Sequence, residues 1–460
     1  MANYRTYKNL FLIGGFYIMT SKNSVIYQLD GKPSIKQAIP LGLQHILAMF
    51  VGNVTPLIII ANVVNMSLAD KTALIQCTMF VSGIATLMQC YNFGPFGARL
   101  PIVMGTSFGF VPVLTVIGTK YGYEAILGSC LIGAIVEILF GKSMSSLRKY
   151  FTPVVTGTVV LAMGISLLPT GIKYFAGGAG ADDFGSLSNL ALGTIVLLTV
   201  LFLNQYTKGI TKLSSILIGL IVGYIVAIPM GKVDFTSLST VNIMSMPTPF
   251  KFGFEFHLDA IIAVAATFIV SGVETVGDIT AIAHSGIGRD ATDREISGGV
   301  MADGLGSVVS SIFGVLPNTS FGQNVGIIAM TKVINRNIVG VGACILILAA
   351  IFPKFGAIIS LMPSSVLGGA SISMFAMIAV SGIKLIASEP LNERNSTIVA
   401  LAIGIGVGVS FVPGVFASLP ESIQLIFGDS GLVLVALIAV ILNIILPKEK
   451  ENADLEVGIV

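Results

Sequence analysis

The chain has 460 residues; 54% are hydrophobic, only 10% are charged, and the formal net charge is +2. Its mean hydropathy is +0.92. A soluble domain carries about 25% charged residues, so the composition excludes a water-facing globular protein and predicts an all-α polytopic membrane protein. The near balance of charge gives no sign of a nucleic-acid partner. The four cysteines, Cys77, Cys90, Cys130 and Cys344, lie in apolar stretches without metal-site spacing, which reads as buried, inert thiols and no metal.

The first apolar run, Leu10–Met19, is too short to span a bilayer. No small-residue cleavage site follows it, so it is not a signal peptide, and Met1 and Met19 are both candidate starts. Long apolar runs, cut by charges or by Gly, Pro and Asn clusters, then fall at 38–63, 72–91, 96–118, 123–141, 152–172, 187–204, 212–230, 258–281, 303–314, 317–334, 339–353, 365–386, 395–412 and 431–447. These predict fourteen transmembrane segments. Charge tests the count. With the N-terminus in the cytoplasm, alternate connections collect most of the 25 basic residues on the inside, including Lys142, Arg148, Lys149, Lys212, Lys332 and Lys384. Cytoplasmic loops are the basic ones, so both ends are expected in the cytoplasm and the protein in the cell membrane.

The tetrapeptide Thr-Ser-Phe-Gly occurs at Thr106–Gly109 and again at Thr319–Gly322. The copies fall in the third and tenth segments, an odd number of spans apart, so they lie in halves of opposite orientation. That predicts a 7+7 inverted repeat, a construction common among secondary transporters. Both segments are interrupted by Gly, Pro and polar residues. Irregular backbone at membrane depth is tolerated only inside protein or beside a cavity. The stretch LPIVMG before the first copy reads as a short strand, and VLPN before the second as its antiparallel partner. The half-helices that follow would aim positive N-termini at a polar or anionic guest.

Ionisable groups inside spans are functional candidates, because each is costly to place there. Glu274 and Asp278 are four residues apart in SGVETVGDITAIAHSG, hence on one helix face. Two carboxylates stacked in low dielectric resist ionising together, which suits taking up and releasing a proton. Asp303, in VMADGLGS, opens the ninth segment and reads equally as an N-cap or a coupling site. Glu137 is expected near the cytoplasmic end of its helix, close to Lys142, in a structural or interfacial role. His45, beside Gln44 on the first span, is a polar pair at mid-span, whereas His257 and His284 fall at span ends. Gln323 and Asn324 follow the second repeat copy directly. A side-chain amide donates and accepts, so Gln323 can read the edge of a planar, amide-like ligand; simple helix capping is the alternative for Asn324. No nucleotide loop, metal cluster or Ser–His pairing suggests an enzyme.

QNVGIIAMT (Gln323–Thr331), with LQH on the first span and GVETVGD on the eighth, resembles the motifs of the nucleobase–ascorbate transporter family. Its signature usually ends in Gly, where this chain has Lys332. The likeness extends over about residues 24–447. It implies a core domain of spans 1–4 and 8–11 (38–141 and 258–353) and a gate domain of spans 5–7 and 12–14 (152–230 and 365–447). A cytoplasmic N-terminal segment, 1–37, and a cytoplasmic tail, 448–460, would flank them. It further implies a homodimer working by an elevator-like shift of core against gate, with no cofactor. Carried over by position, Glu274 would bind ring N–H groups of a base and Gln323 its other edge. Phe108 and Gly322 would offer backbone groups, Phe321 would stack, and Asn324 would complete the site. Asp278, Asp303 and His45 would support affinity and proton coupling. Uracil transporters of the family tend to carry Glu at the Gln323 position and His at the Asp278 position. Gln with Asp fits the xanthine and uric acid branch, so the expected activity is proton symport of a purine nucleobase. A uracil permease is the alternative. Less favoured is an anion transporter of the sulfate or bicarbonate type, which shares the seven-plus-seven architecture and usually lacks the paired acids.

Overall fold

The structure, a computed structural model, describes residues 9–13, 16–20, 25–412, 414–427 and 431–447. Met1 and the tail 448–460 lie outside these described residues. The short run Leu10–Met19 folds back on itself, β1 (Asn9–Ile13) pairing antiparallel with β2 (Phe16–Thr20). The first half then runs α1 (Ile35–Val63), α2 (Leu68–Tyr91), β3 (Met104–Thr106), α3 (Val111–Tyr121), α4 (Tyr123–Leu147), α5 (Pro153–Phe175), α6 (Leu187–Tyr206), α7 (Ile210–Leu213) and α8 (Ser215–Ala227). The second half runs α9 (Leu258–Ile282), α10 (Asp293–Ile312), β4 (Asn318–Ser320), α11 (Gly322–Thr331), α12 (Arg336–Ala349), α13 (Pro353–Ser360), α14 (Ser364–Ile386), α15 (Glu393–Ser410), α16 (Glu421–Phe427) and α17 (Leu432–Ile445).

Among the described residues, seven helices are long and apolar enough to cross a membrane, and an eighth span results if α12 and α13, bent by 82°, are one. The architecture is therefore a mostly helical, polytopic membrane fold. Large apolar side chains such as Leu198, Leu201 and Phe202 on α6 and Ile221 and Ile225 on α8 are exposed, a surface that water would disfavour and lipid would not. Cys77, Cys90 and Cys130 are buried, but Cys344 on α12 is exposed, against the expectation. In a protein whose outer surface is itself apolar, apolar neighbours in sequence do not separate inside from outside.

Helices meet through small residues, as expected where lipid supplies no hydrophobic drive between them. A Cβ on Gly304 of α10 would lie 2.8 Å from the Ala134 carbonyl oxygen of α4, and one on Gly382 of α14 would lie 2.3 Å from the Leu161 nitrogen of α5. Those two helix pairs are locked at backbone contact. The paired strands pack against α1, α2, α9 and α10. Met104 faces Ser320, Gly105 faces Thr319 and Thr106 faces Asn318. The pairing is the expected antiparallel one, but it lies closer to the repeat tetrapeptides than LPIVMG and VLPN. The prolines explain the shift: Pro101 and Pro317 offer no N–H to a ladder.

α10 starts at Asp293, well before the apolar run at 303. Thr292 caps it, and Glu295 closes the capping box by accepting from the Thr292 nitrogen at 2.8 Å. Asp303 is thus inside a helix and is not its N-cap. α4 likewise runs on to Leu147, which carries Glu137 away from the interface; its side chain is fully buried. Both misplacements share a cause: hydropathy locates the apolar stretch of a helix, not its polar ends.

Candidate functional site

Both broken segments present the same local problem. Three residues of extended backbone cannot satisfy their own N–H and C=O groups, and both strands are buried. Part of the answer is mutual: besides the ladder, Ser107 N donates to Pro317 O at 2.9 Å and Phe321 N donates to Val103 O at 3.0 Å. The rest comes from side chains of the surrounding helices. Asn53 Oδ1 on α1 accepts from the Thr106 nitrogen at 2.7 Å, from Thr106 Oγ1 at 3.1 Å and from Ser82 Oγ at 2.9 Å. Thr86 Oγ1 accepts from Met104 N at 2.9 Å, and Ser307 Oγ accepts from Asn318 N at 3.0 Å. The Phe321 ring closes over the pair. A Cβ on Gly105 would lie 2.6 Å from it, and one on Gly52 equally close, so both positions are held by residues without a side chain.

A half-helix follows each strand. A 3-10 turn at Phe108–Phe110 leads into α3, with Ser107 Oγ accepting from Gly109 N at 3.2 Å. α11 begins directly at Gly322. Their first turns open on a cavity of about 420 Å³, within the roughly 300–1,000 Å³ usual for small-molecule sites. Glu274, Asp278, Phe108, Phe321, Gly322 and Gln323 all line it. Glu274 and Asp278 reach it from one face of α9, as their spacing predicts, and Gln323 meets them from the first turn of α11. Asp278 Oδ2 accepts from Ser320 Oγ at 2.7 Å, while Glu274 Oε2 has no hydrogen-bond partner. The cavity is therefore lined by one anchored carboxyl, one with an unused oxygen, and an amide.

Three expected site residues do not line the cavity. Asn324 is turned away from it: its Nδ2 donates to Pro101 O at 2.6 Å, and its Oδ1 pairs with His45 Nδ1. It is no cap either, since the N-cap of α11 is Phe321 and makes no side-chain cap bond. The His45–Asn324 pair is wholly buried and ties α1 to α11 behind the site. Asp303 lies deeper, accepting from Gln89 Nε2 at 3.0 Å and from Thr275 Oγ1. His45 and Asn324 thus tie the second broken segment to α1 and to Pro101, whereas Asp303 links α10 to α2 and α9. Phe108, whose role was read as a backbone one, also packs its ring edge-on against Phe375 of α14, with centroids 5.0 Å apart.

Sequence reasoning missed two cations in the lining, Lys212 on α7 and Lys384 on α14. The sequence places each at the end of a predicted span, as one of the basic residues marking the cytoplasmic side; that recurrence at the ends of apolar runs is the available signal. Sequence reasoning also leaves Lys332 unexplained. That residue caps α11 at φ 59°, the left-handed region, which is why glycine suits the position. Its Nζ donates to Ser285 O at 2.8 Å. Among the described residues no three His, Cys, Asp or Glu side chains are grouped to hold a metal ion.

The profile of the Permease family matches residues 36–415. The chain is 38% identical over 411 residues to the xanthine permease of Bacillus subtilis (strain 168), covering 89% of this chain and 93% of that one. It is 36% identical over 411 residues to the uric acid permease PucJ of the same organism, covering 88% of this chain and 91% of that one. Among solved structures it is similar to the transmembrane domain of a cyanobacterium bicarbonate transporter, BicA. The TM-score is 0.54 at 14% identity, covering 91% of this chain and 100% of that one. At that identity the likeness speaks for the fold alone.

Proposed function

The chain belongs to the Permease family, the nucleobase–ascorbate transporters, and from that premise we propose that it imports a purine nucleobase, xanthine or uric acid, by proton symport. As a permease it is a transporter rather than an enzyme. The observation that carries the substrate is the meeting of Glu274 and Gln323 across one cavity beside two half-helix starts. The carboxylate of Glu274 accepts from ring N–H groups of the base. The Gln323 amide accepts from another N–H and donates to a ring carbonyl. Backbone N–H groups at Phe108 and Gly322 complete the polar edge. The Phe321 ring, already seated on Gly52 and Gly105, gives the base a flat wall. Gln323 and Asp278, rather than Glu and His, favour a purine over uracil, and the xanthine and uric acid relatives agree with that choice.

In this reading the fourteen segments all span, as a 7+7 inverted repeat, with both termini cytoplasmic in the cell membrane and two copies in a homodimer. The core carries the base past the gate. Lys212 and Lys384 come from the gate and belong to the basic cytoplasmic set, so the cavity faces the cytoplasm in this conformation. Their charges favour an anionic base such as urate.

The test is uptake of radiolabelled xanthine into proteoliposomes under an imposed inward proton gradient, with unlabelled urate, guanine and uracil as competitors. Gradient-driven uptake blocked by urate and not by uracil is the expected result. Uptake of uracil without xanthine would overturn the purine assignment. Xanthine uptake indifferent to the gradient would overturn symport.

A further inference from the structure

Glu137, on α4, plays no part in the site above, yet among the described residues it is a fully buried acid, with 0% exposure and neither Oε1 nor Oε2 hydrogen-bonded. A carboxylate so placed, with no cation and no donor, is prohibitively costly. A neutral carboxylic acid there costs far less. α10 packs on α4 right beside it, a Cβ on Gly304 lying 2.9 Å from the Ile138 nitrogen, so Asp303 is the neighbouring acid on that side; Glu274 lies on α9, which also packs on α4. A third carboxyl beside two others adds only repulsion unless it carries a proton. A proton is a ligand that neighbouring acids can share.

A line of hydroxyls connects this cluster to the cavity. Asp278, in the cavity wall, accepts from Ser320 Oγ at 2.7 Å. Ser320 Oγ lies 3.2 Å from Thr275 Oγ1, and Thr275 Oγ1 donates to Asp303. We propose that Glu137 is a proton-storing acid of the transport cycle, the inner end of a path Asp278–Ser320–Thr275–Asp303–Glu137 that opens on the purine cavity. This rests on the proton-symport reading. Along the path each hydroxyl accepts one proton on its oxygen and releases its own to the next group, so Ser320 and Thr275 end unchanged. In the storing stage Glu137 begins ionised, unlike the neutral acid of this conformation, and the O–H bond broken at Asp278 is balanced by the one formed at Glu137. The negative charge then passes from Glu137 to Asp278, where it faces the cavity. The last step, from Asp303 to Glu137, is open in this conformation, since neither Glu137 oxygen is bonded. Its closure would belong to another stage of the cycle.

The test is E137Q, which keeps the shape of the protonated acid and cannot release its proton. Three readouts are compared with wild type in one proteoliposome preparation: equilibrium xanthine binding, xanthine counterflow and accumulation driven by a proton gradient. Binding and counterflow, which need no net proton movement, are expected to survive. Gradient-driven accumulation is expected to fall by roughly tenfold or more, the size of a typical coupling energy, and to lose its pH dependence. Wild-type accumulation and pH profile in E137Q would overturn the proposal while leaving symport standing. A wild-type protein indifferent to the gradient would overturn symport itself and the storage role with it. Should E137Q fail to insert, E137D is the second variant. A displaced pH midpoint of uptake supports the role, and an unmoved midpoint with active protein refutes it.

Discussion

Asn53 is the residue whose removal most directly tests whether the strand crossing shapes the site. Its Oδ1 holds the Thr106 N–H at 2.7 Å and two hydroxyls at 3.1 and 2.9 Å. In N53A the hydroxyls of Thr106 and Ser82 can turn to other acceptors; Ser82 already has Asn318 Oδ1 at 3.4 Å. The Thr106 amide cannot turn, because its direction is set by the chain. A buried amide left without an acceptor costs about 1–3 kcal/mol. β3 escapes that cost by leaving its register, so the fraction of molecules with a formed cavity drops. The measured Kd is the intrinsic one divided by that fraction, so xanthine affinity should weaken by roughly ten- to a hundredfold. Calorimetric titration on purified protein reads this directly. Hydrogen exchange of the peptide containing Met104–Thr106 should speed up in parallel. Unchanged affinity together with unchanged exchange would mean that the strand pair holds itself, and that Asn53 has no part in forming the site.

Gln323→Glu should abolish xanthine uptake at unchanged protein level, because the new carboxylate loses the amide donor and adds a charge beside Glu274 and Asp278; retained uptake would remove Gln323 from the ligand set. Lys212→Gln and Lys384→Gln should each raise the KM for urate at low ionic strength and have little effect in concentrated salt, since exposed charges act over about 10 Å at 0.1 M; a salt-independent change would point to direct contact instead. Lys332→Gly should raise the thermal midpoint in detergent, because a left-handed residue with a side chain costs about 1–2 kcal/mol and the bond to Ser285 is exposed; a lowered midpoint would show that this bond outweighs the backbone strain.

The parts of the fold legible in the sequence were those that composition writes without ambiguity. Apolar runs give the long helices because lipid accepts nothing else over that length. The duplicated tetrapeptide gives the broken segments because small and polar residues cannot continue a buried helix there without a partner. The four-residue spacing of Glu274 and Asp278 fixes their common face on α9. Less legible was everything decided by a third dimension. Asn324 stands next to Gln323, yet consecutive residues on a helix diverge by about 100°, so one faces the cavity and the other meets His45 behind it. Lys212 and Lys384 are far apart in sequence and become a pair only where α7 and α14 approach one space.

The polar residues around β3 and β4 explain why the site sits at the broken segments and not elsewhere in so apolar a chain. Two strands of three residues carry too little ladder to be stable alone. They are held by Asn53, Ser82, Thr86, Ser307 and Ser310, contributed by α1, α2 and α10. Bringing these side chains inward concentrates hydroxyls and amides at one depth of the protein. Once there, they also make acids affordable: Asp303 finds Gln89 and Thr275, and Asp278 finds Ser320. The carboxyls whose oxygens that scaffold leaves unbonded, Glu274 in part and Glu137 entirely, are thereby the groups left to take a ligand or a proton. The same hydrogen bonds that make a helix break tolerable thus decide which acids stay reactive.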